Sequence, residues 1–307
     1  MVYTENDDWP PDTGTDKNYT NGFRLSLDHN YNMWSKLTGS RWFRWVPRYK
    51  NCAAASLVLE KCVSSAVHVG QQFYTPDDIS VRELIPNDRP YAGWLYVGGS
   101  WRASTDRALV ATDVYLGVTG PASLARPVQT LAHKIGGVDP PQGWDNQIGG
   151  RVGVVVGHSR RAAFDAGTDR NRWLELTPYV GGTGGDIVTE AYAGARLKVG
   201  YHLTRDWTHN GIAPVVKRGF VSPNQGVFEI YATADGQGRA LLYNAFIDAA
   251  PSHRLDQRYL IGDGGIGVGM RIKRVTASYR IAFVSPEYDQ ARTYHDYKAI
   301  KLMFDLN

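Results

Sequence analysis

Between residues 188 and 203 the chain reads VTEAYAGARLKVGYHL, and its two parities differ in kind. Ala191, Ala193, Ala195, Leu197, Val199 and Leu203 fall on one; Glu190, Tyr192, Gly194, Arg196, Lys198 and His202 fall on the other. Alternation of this length marks a strand with one apolar and one polar face. It returns at 260–273, where Ile266, Val268, Met270 and Ile272 oppose Asp263, Arg271 and Lys273. At 275–284 Val275, Tyr279, Ile281 and Phe283 oppose Thr276, Ser278 and Arg280, and near the start Phe23, Leu25 and Leu27 oppose Arg24, Ser26 and Asp28. Two architectures accept such strands. A soluble β-protein turns its polar faces to water and packs the apolar ones together, whereas a membrane barrel points apolar side chains outward and polar ones into its lumen. The pattern alone leaves both open. Full charges set among glycines and large tyrosines suit a packed lumen.

Twelve strands are expected: 2–7, 18–30, 65–75, 91–103, 108–118, 148–165, 172–185, 187–203, 226–247, 258–273, 275–286 and 296–306. An even number suits an antiparallel transmembrane β-barrel, here a single domain over 1–307. Both termini then lie on the periplasmic side with 31–64 and 204–225, and 8–17, 76–90 and 119–147 lie outside. No apolar run approaches the roughly 18 residues of a membrane helix, which leaves a barrel open. The net charge of +4 is too mild to argue for nucleic acid. No leader precedes the first strand, so an exported chain would be the mature form. Cys52 and Cys62 lack the second pair that a zinc site needs; a disulfide and two free thiols both remain open.

One stretch breaks the β rhythm. In GPASLARPVQTLAHKIGG, 120–137, Val128, Leu131 and Ile135 recur at helical spacing before Gly136-Gly137, a helix stop. His133 falls about 140° from that stripe if the helix turns 100° per residue.

Several motifs occur together and in order: Asn6-Asp7, Tyr19-Thr20-Asn21-Gly22, NDRPYAGWLY at 87–96, LGVTGPAS at 116–123, AHKIGG at 132–137 and PQGWDNQI at 141–148. In these the chain resembles the outer-membrane lipid A 3′-O-deacylases of the LpxR type. The resemblance is dense from 5 to 150 and rests on strand pattern beyond. It implies a twelve-stranded barrel in the bacterial outer membrane, acting as a monomer on lipid A or lipopolysaccharide. It further implies a calcium-dependent esterase site that releases the 3′-linked acyloxyacyl group. Three departures stand out. Residues 76–88 carry only Arg82 where the family's loop is lysine-rich, Asp139 stands where the family more often has Glu, and the chain ends without a terminal aromatic residue.

Ester hydrolysis needs a base for water and a positive or hydrogen-bonding group for the oxyanion. His133 is the candidate base, because imidazole titrates near neutrality. The resemblance points to Asp139 as the residue that orients it. Asp7 is the candidate calcium ligand, with Asn6 and Thr20 fixing the site or the oxyanion, since a hard cation takes oxygen donors. Neighbours on a regular strand face opposite ways, so Asn6 and Asp7 share a site only where the strand ends or bulges. Thr20 has the parity of Arg24 and Ser26, which predicts a lumenal side chain and a reaction chamber inside the barrel. Trp144 lines the acyl groove or anchors at the interface. Two other readings are a barrel without a site and an outer-membrane phospholipase; against the latter, His158-Ser159 is followed by two arginines, and no His-x-Ser-Asn-Gly element occurs.

Overall fold

A computed structural model describes residues 1–7, 16, 18–29, 50–51, 62–105, 107–168, 171–205, 207, 228–248, 252–291 and 293–305. Twelve antiparallel strands form a closed ring: β1 Val2–Asn6, β2 Asn18–His29, β3 Cys62–Thr75, β4 Ala92–Ser104, β5 Ala108–Thr119, β6 Val152–Ala162, β7 Asn171–Gly185, β8 Val188–Tyr201, β9 Phe228–Asn244, β10 Leu260–Ile272, β11 Val275–Val284 and β12 His295–Phe304. Each pairs with its neighbours in sequence, and β1 closes on β12 with Tyr3 opposite Lys301. Closure matters because it removes every long free edge, so each barrel strand spends its backbone groups on the ladder. Beyond Ala162 the wall continues through Phe164–Thr168, which pairs with the start of β7. Lys50–Asn51 adds a two-residue parallel bridge beside β3. All twelve expected strands are present, with shifts confined to their ends; the expected 148–165 contracts most, to 152–162.

The wall is apolar outside and ionic inside. Phe23, Leu25, Leu27, Ile266, Val268 and Met270 are exposed, while Arg24, Ser26, Asp263 and Arg271 are buried. Water would reverse that arrangement, so a packed soluble core is excluded as the architecture and the membrane-barrel pattern remains. In the lumen, Arg239 bonds Asp263 at 2.7 Å, Glu190 at 3.2 Å and Glu287 at 3.0 Å. Glu175 joins Arg196 and Arg205 at 3.1 and 2.9 Å, Arg280 holds Asp235 at 2.5 Å, and Lys198 pairs with Glu229. Removing one partner of a buried pair costs about 3–5 kcal/mol, because the other charge stays behind unsolvated. Such pairs cross-link the interior. Above them, Glu5 accepts hydrogen bonds from the hydroxyls of Tyr3 and Tyr19 within a cluster of buried tyrosines.

Strand direction gathers Asp7, Asp16, 76–91, 120–151, 186–187, 245–248, 252–259, 285–291 and 293–294 at one end, with the start of β1 and the end of β12 at the other. Cys52 and most of 31–64 and 204–225 lie outside the described residues.

Candidate active site

Among the described residues the one long helix, α1 (Ala125–Gly136), follows a 3₁₀ turn at Gly120–Ser123 and a single left-handed residue, Leu124. Pro127 falls in its first turn, where a missing N–H costs nothing. The helix stops at Gly137, whose φ of 72° suits glycine and whose N–H reaches the His133 carbonyl. Ala125 and Gln129 are its buried residues, and His133 is the next position along the same face. That face rests on the outside of the barrel. Gly93 has the parity of the exposed Val97, and a Cβ there would stand 2.2 Å from Ser123 Oγ and 2.5 Å from the Ala125 Cβ. Only glycine lets the turn and helix lie this close to β4.

A continuous polar chain runs along the covered face. The Trp144 indole Nε1–H donates to Gln129 Oε1 at 2.8 Å, and Gln129 Nε2 donates to Asp16 Oδ2 at 2.7 Å. The same Asp16 oxygen meets His133 Nε2 at 2.6 Å, and His133 Nδ1 lies 2.6 Å from the Asp139 carbonyl oxygen. A carbonyl only accepts, so Nδ1 carries a proton, and the 2.6 Å contact of Nε2 with the Asp16 carboxyl holds a second proton shared between the two. Asp139 thus meets the imidazole through its backbone oxygen and not its carboxylate. Asp16 is the carboxylate at the ring.

The second group stands at the end of β1. The strand stops at Asn6, which frees Asp7 from strict alternation. The Asp7 N–H donates to the Thr20 carbonyl at 3.3 Å, its own carbonyl accepts from Lys298 Nζ at 3.0 Å, and the residue is buried. The β2–β3 register slips between Tyr19 and Asn21, making Thr20 the extra residue of a bulge. Its hydroxyl pairs with that of Thr75 at 2.7 Å. Thr75 shares the outward face of β3 with Phe73, against which Trp144 packs at 6.4 Å between ring centres. Phe73 and Thr75 lie two residues apart, about 7 Å along a strand, so the Asp7–Thr20 group and the His133 chain border the same patch of outer wall. The expected lumenal placement of Thr20 and of the reaction chamber is thus corrected. A bulge flips the parity on which it rested, and the ionic lumen is a separate compartment.

Trp144 is fully buried, its ring centre 4.8 Å from that of Tyr91 and tilted 49° to it, and it fixes Gln129 rather than standing at the surface. The stripe Val128, Leu131 and Ile135 is exposed. Sequence reading did not single out Gln129 or Asp16. Gln129 sits one turn before His133, a spacing that marks a shared face; nothing local separates Asp16 from Asp12 in the turn-rich PDTGTDK.

As for a metal, the Asp7 group offers carboxylate, hydroxyl and carbonyl oxygens, the donors a hard cation takes, with the Lys298 ammonium on the Asp7 carbonyl beside them. Among the described residues no cluster of three or more His, Cys, Asp or Glu gathers to hold a metal. A cation there would complete its shell from neutral oxygens.

Nearby, Glu287 ties the loop after β11 to Arg89, and to Arg239 at 3.0 Å. Burial raises its carboxyl, but the two guanidiniums outweigh burial and hold it at about 2. A carboxyl lowered on folding stabilises the fold above its unfolded value and loses that contribution as pH falls toward 2. The temperature at which the folded barrel loses its compact gel mobility should therefore drop between about pH 4.5 and 2. Glu287→Gln should flatten that drop; an unchanged profile would remove Glu287 from the mouth's stability.

A family model described as outer membrane protein LpxR matches residues 1–306. Among solved structures, LpxR from Salmonella typhimurium superposes at a TM-score of 0.77 with 18% identity, covering 99% of this chain and 98% of that one. The β domain of the Bordetella autotransporter BrkA aligns at a TM-score of 0.44 with 10% identity, over 99% and 96% of the two chains. No curated protein sequence matches.

Proposed function

The chain belongs to the LpxR family of outer-membrane barrels, and from that premise we propose that it is a lipid A 3′-O-deacylase, a carboxylic ester hydrolase of the outer leaflet. The observation that carries this reading is where the imidazole sits. His133, with Asp16, Gln129 and the Asp139 carbonyl, lies between α1 and the outside of the wall, a place reached by a lipid and not by a solute in the lumen.

The base is neutral His133 with Asp16 swung off Nε2 and a water in its place; that water would attack the ester carbonyl and give its proton to Nε2. The Asp139 carbonyl keeps Nδ1–H in place, and the Asp16 carboxylate stabilises the imidazolium. Collapse of the tetrahedral adduct then returns the proton from Nε2 to the departing sugar oxygen. Asn6 and Thr20 would supply neutral donors to an oxyanion or to a cation shell. Calcium bound through Asp7 would polarise the ester carbonyl.

The phospholipase alternative needs a serine nucleophile beside histidine on the lipid face. His68 does meet Ser26 at 2.9 Å and Ser100 at 2.7 Å, but all three are buried within the lumen. A barrel without a site leaves the buried chain on α1 unexplained. Mass spectrometry of lipid A from cells with and without the protein tests the proposal. The expected result is a species lighter by the 3′-linked acyloxyacyl group, and unchanged lipid A would overturn it.

A further inference from the structure

The amphipathic pattern of α1 is inside out. Its covered residues are Ala125, Gln129 and His133, while Leu124, Val128, Leu131 and Ile135 are exposed, Leu131 by 58% and Ile135 by 78%. At 100° per residue those four fall within about 60° of one another, and Gln129 and His133 point roughly opposite. A loop helix surrounded by water turns its apolar stripe to the protein; this one buries an amide and an imidazole instead.

The surface beneath explains the inversion. The helix begins over Gly93 on β4, and the outward residues that follow on β4 and β5, Val97 and its partner Leu116, are themselves more than half or half exposed and apolar. Helix stripe and wall form one apolar surface. Lys134 is exposed beside the stripe, about 60° from Leu131, where a long stem can lie on acyl chains while its ammonium reaches headgroups.

We propose that the apolar face of α1 is a lipid-contacting surface, seated in the acyl-chain region of the leaflet that surrounds the barrel. The helix lies in the interface as an amphipathic element, with its polar face turned to the barrel. It thereby forms a roof whose upper side is lipid and whose lower side carries His133.

The test uses a fluorescent bimane label at Leu131→Cys or Ile135→Cys, in a chain carrying Cys52→Ser and Cys62→Ser and refolded into phosphatidylcholine–phosphatidylglycerol vesicles. Val97→Cys supplies a wall reference and Ser252→Cys an exposed-loop reference. Only protein with the compact mobility of a folded barrel is scored. Brominated acyl chains should quench both helix labels to within about twofold of the Val97 label, and aqueous iodide should reach them at least about threefold less than the Ser252 label. Iodide quenching equal to that of Ser252, with no quenching by bromine, would overturn the proposal. Shielding from both quenchers, as when the stripe is buried against a second copy of the chain, would overturn it too. No hydrolysis is read, so the outcome is independent of the deacylase proposal.

Discussion

His133→Ala should lower the rate of lipid A deacylation by at least about 10²-fold, the usual worth of a positioned base. The imidazole is held at Nδ1 by the Asp139 carbonyl and paired at Nε2 with Asp16, and with water in the place of Asp16 it is both the group that takes the proton and the group that returns it, so its loss removes both. The position is partly open at the helix edge, and the wall beneath is made by Ala125 and Gln129, so the barrel should retain its heat-modifiable mobility. Asp139→Ala is the matched control. Its backbone carbonyl survives the change, so the rate should stay within a few-fold of the parent, about 1 kcal/mol or less. Wild-type turnover in His133→Ala would end the general-base assignment. Accumulation of an acyl-enzyme in the parent protein would point instead to a covalent nucleophile.

Exhaustive chelation should abolish deacylation, and calcium added back should restore it where zinc does not. The donors around Asp7 are carboxylate, hydroxyl and carbonyl oxygens, held in place by a backbone bond to Thr20 and by the Lys298 ammonium on the Asp7 carbonyl. Such a set favours a hard ion over one that prefers thiolate or imidazole. Asp7→Asn should raise the calcium concentration needed for half-activity by about tenfold or more, since charge count tunes the affinity of such sites. Full activity after chelation would take the metal out of the reaction and leave Asn6 and Thr20 to stabilise the oxyanion alone.

Parity made the wall legible from sequence because a lipid-facing strand has no freedom in it: one slip would turn Arg196 and Lys198 outward and Leu197 inward. The same rule failed at Thr20. A bulge adds a residue without any signal in YTNG, and everything upstream of it on β2 changes face. The helix was legible through its stripe, yet the direction of that stripe was not. Periodicity separates two faces and says nothing about which medium each one meets. His133 and Asp7 stood out through a family pattern, whereas Asp16 is joined to His133 across 117 positions of sequence, a closeness that comes from β2 to β5 lying side by side in the wall.

A site on the outer wall also changes what concentration means for this protein. A substrate arriving from the side is confined to two dimensions, and its encounters with His133 scale with its share of the surrounding leaflet rather than its amount per litre. Diluting a suspension of membranes should leave turnover per barrel unchanged. Diluting the lipid within each membrane, by adding inert amphiphile, should slow it in proportion.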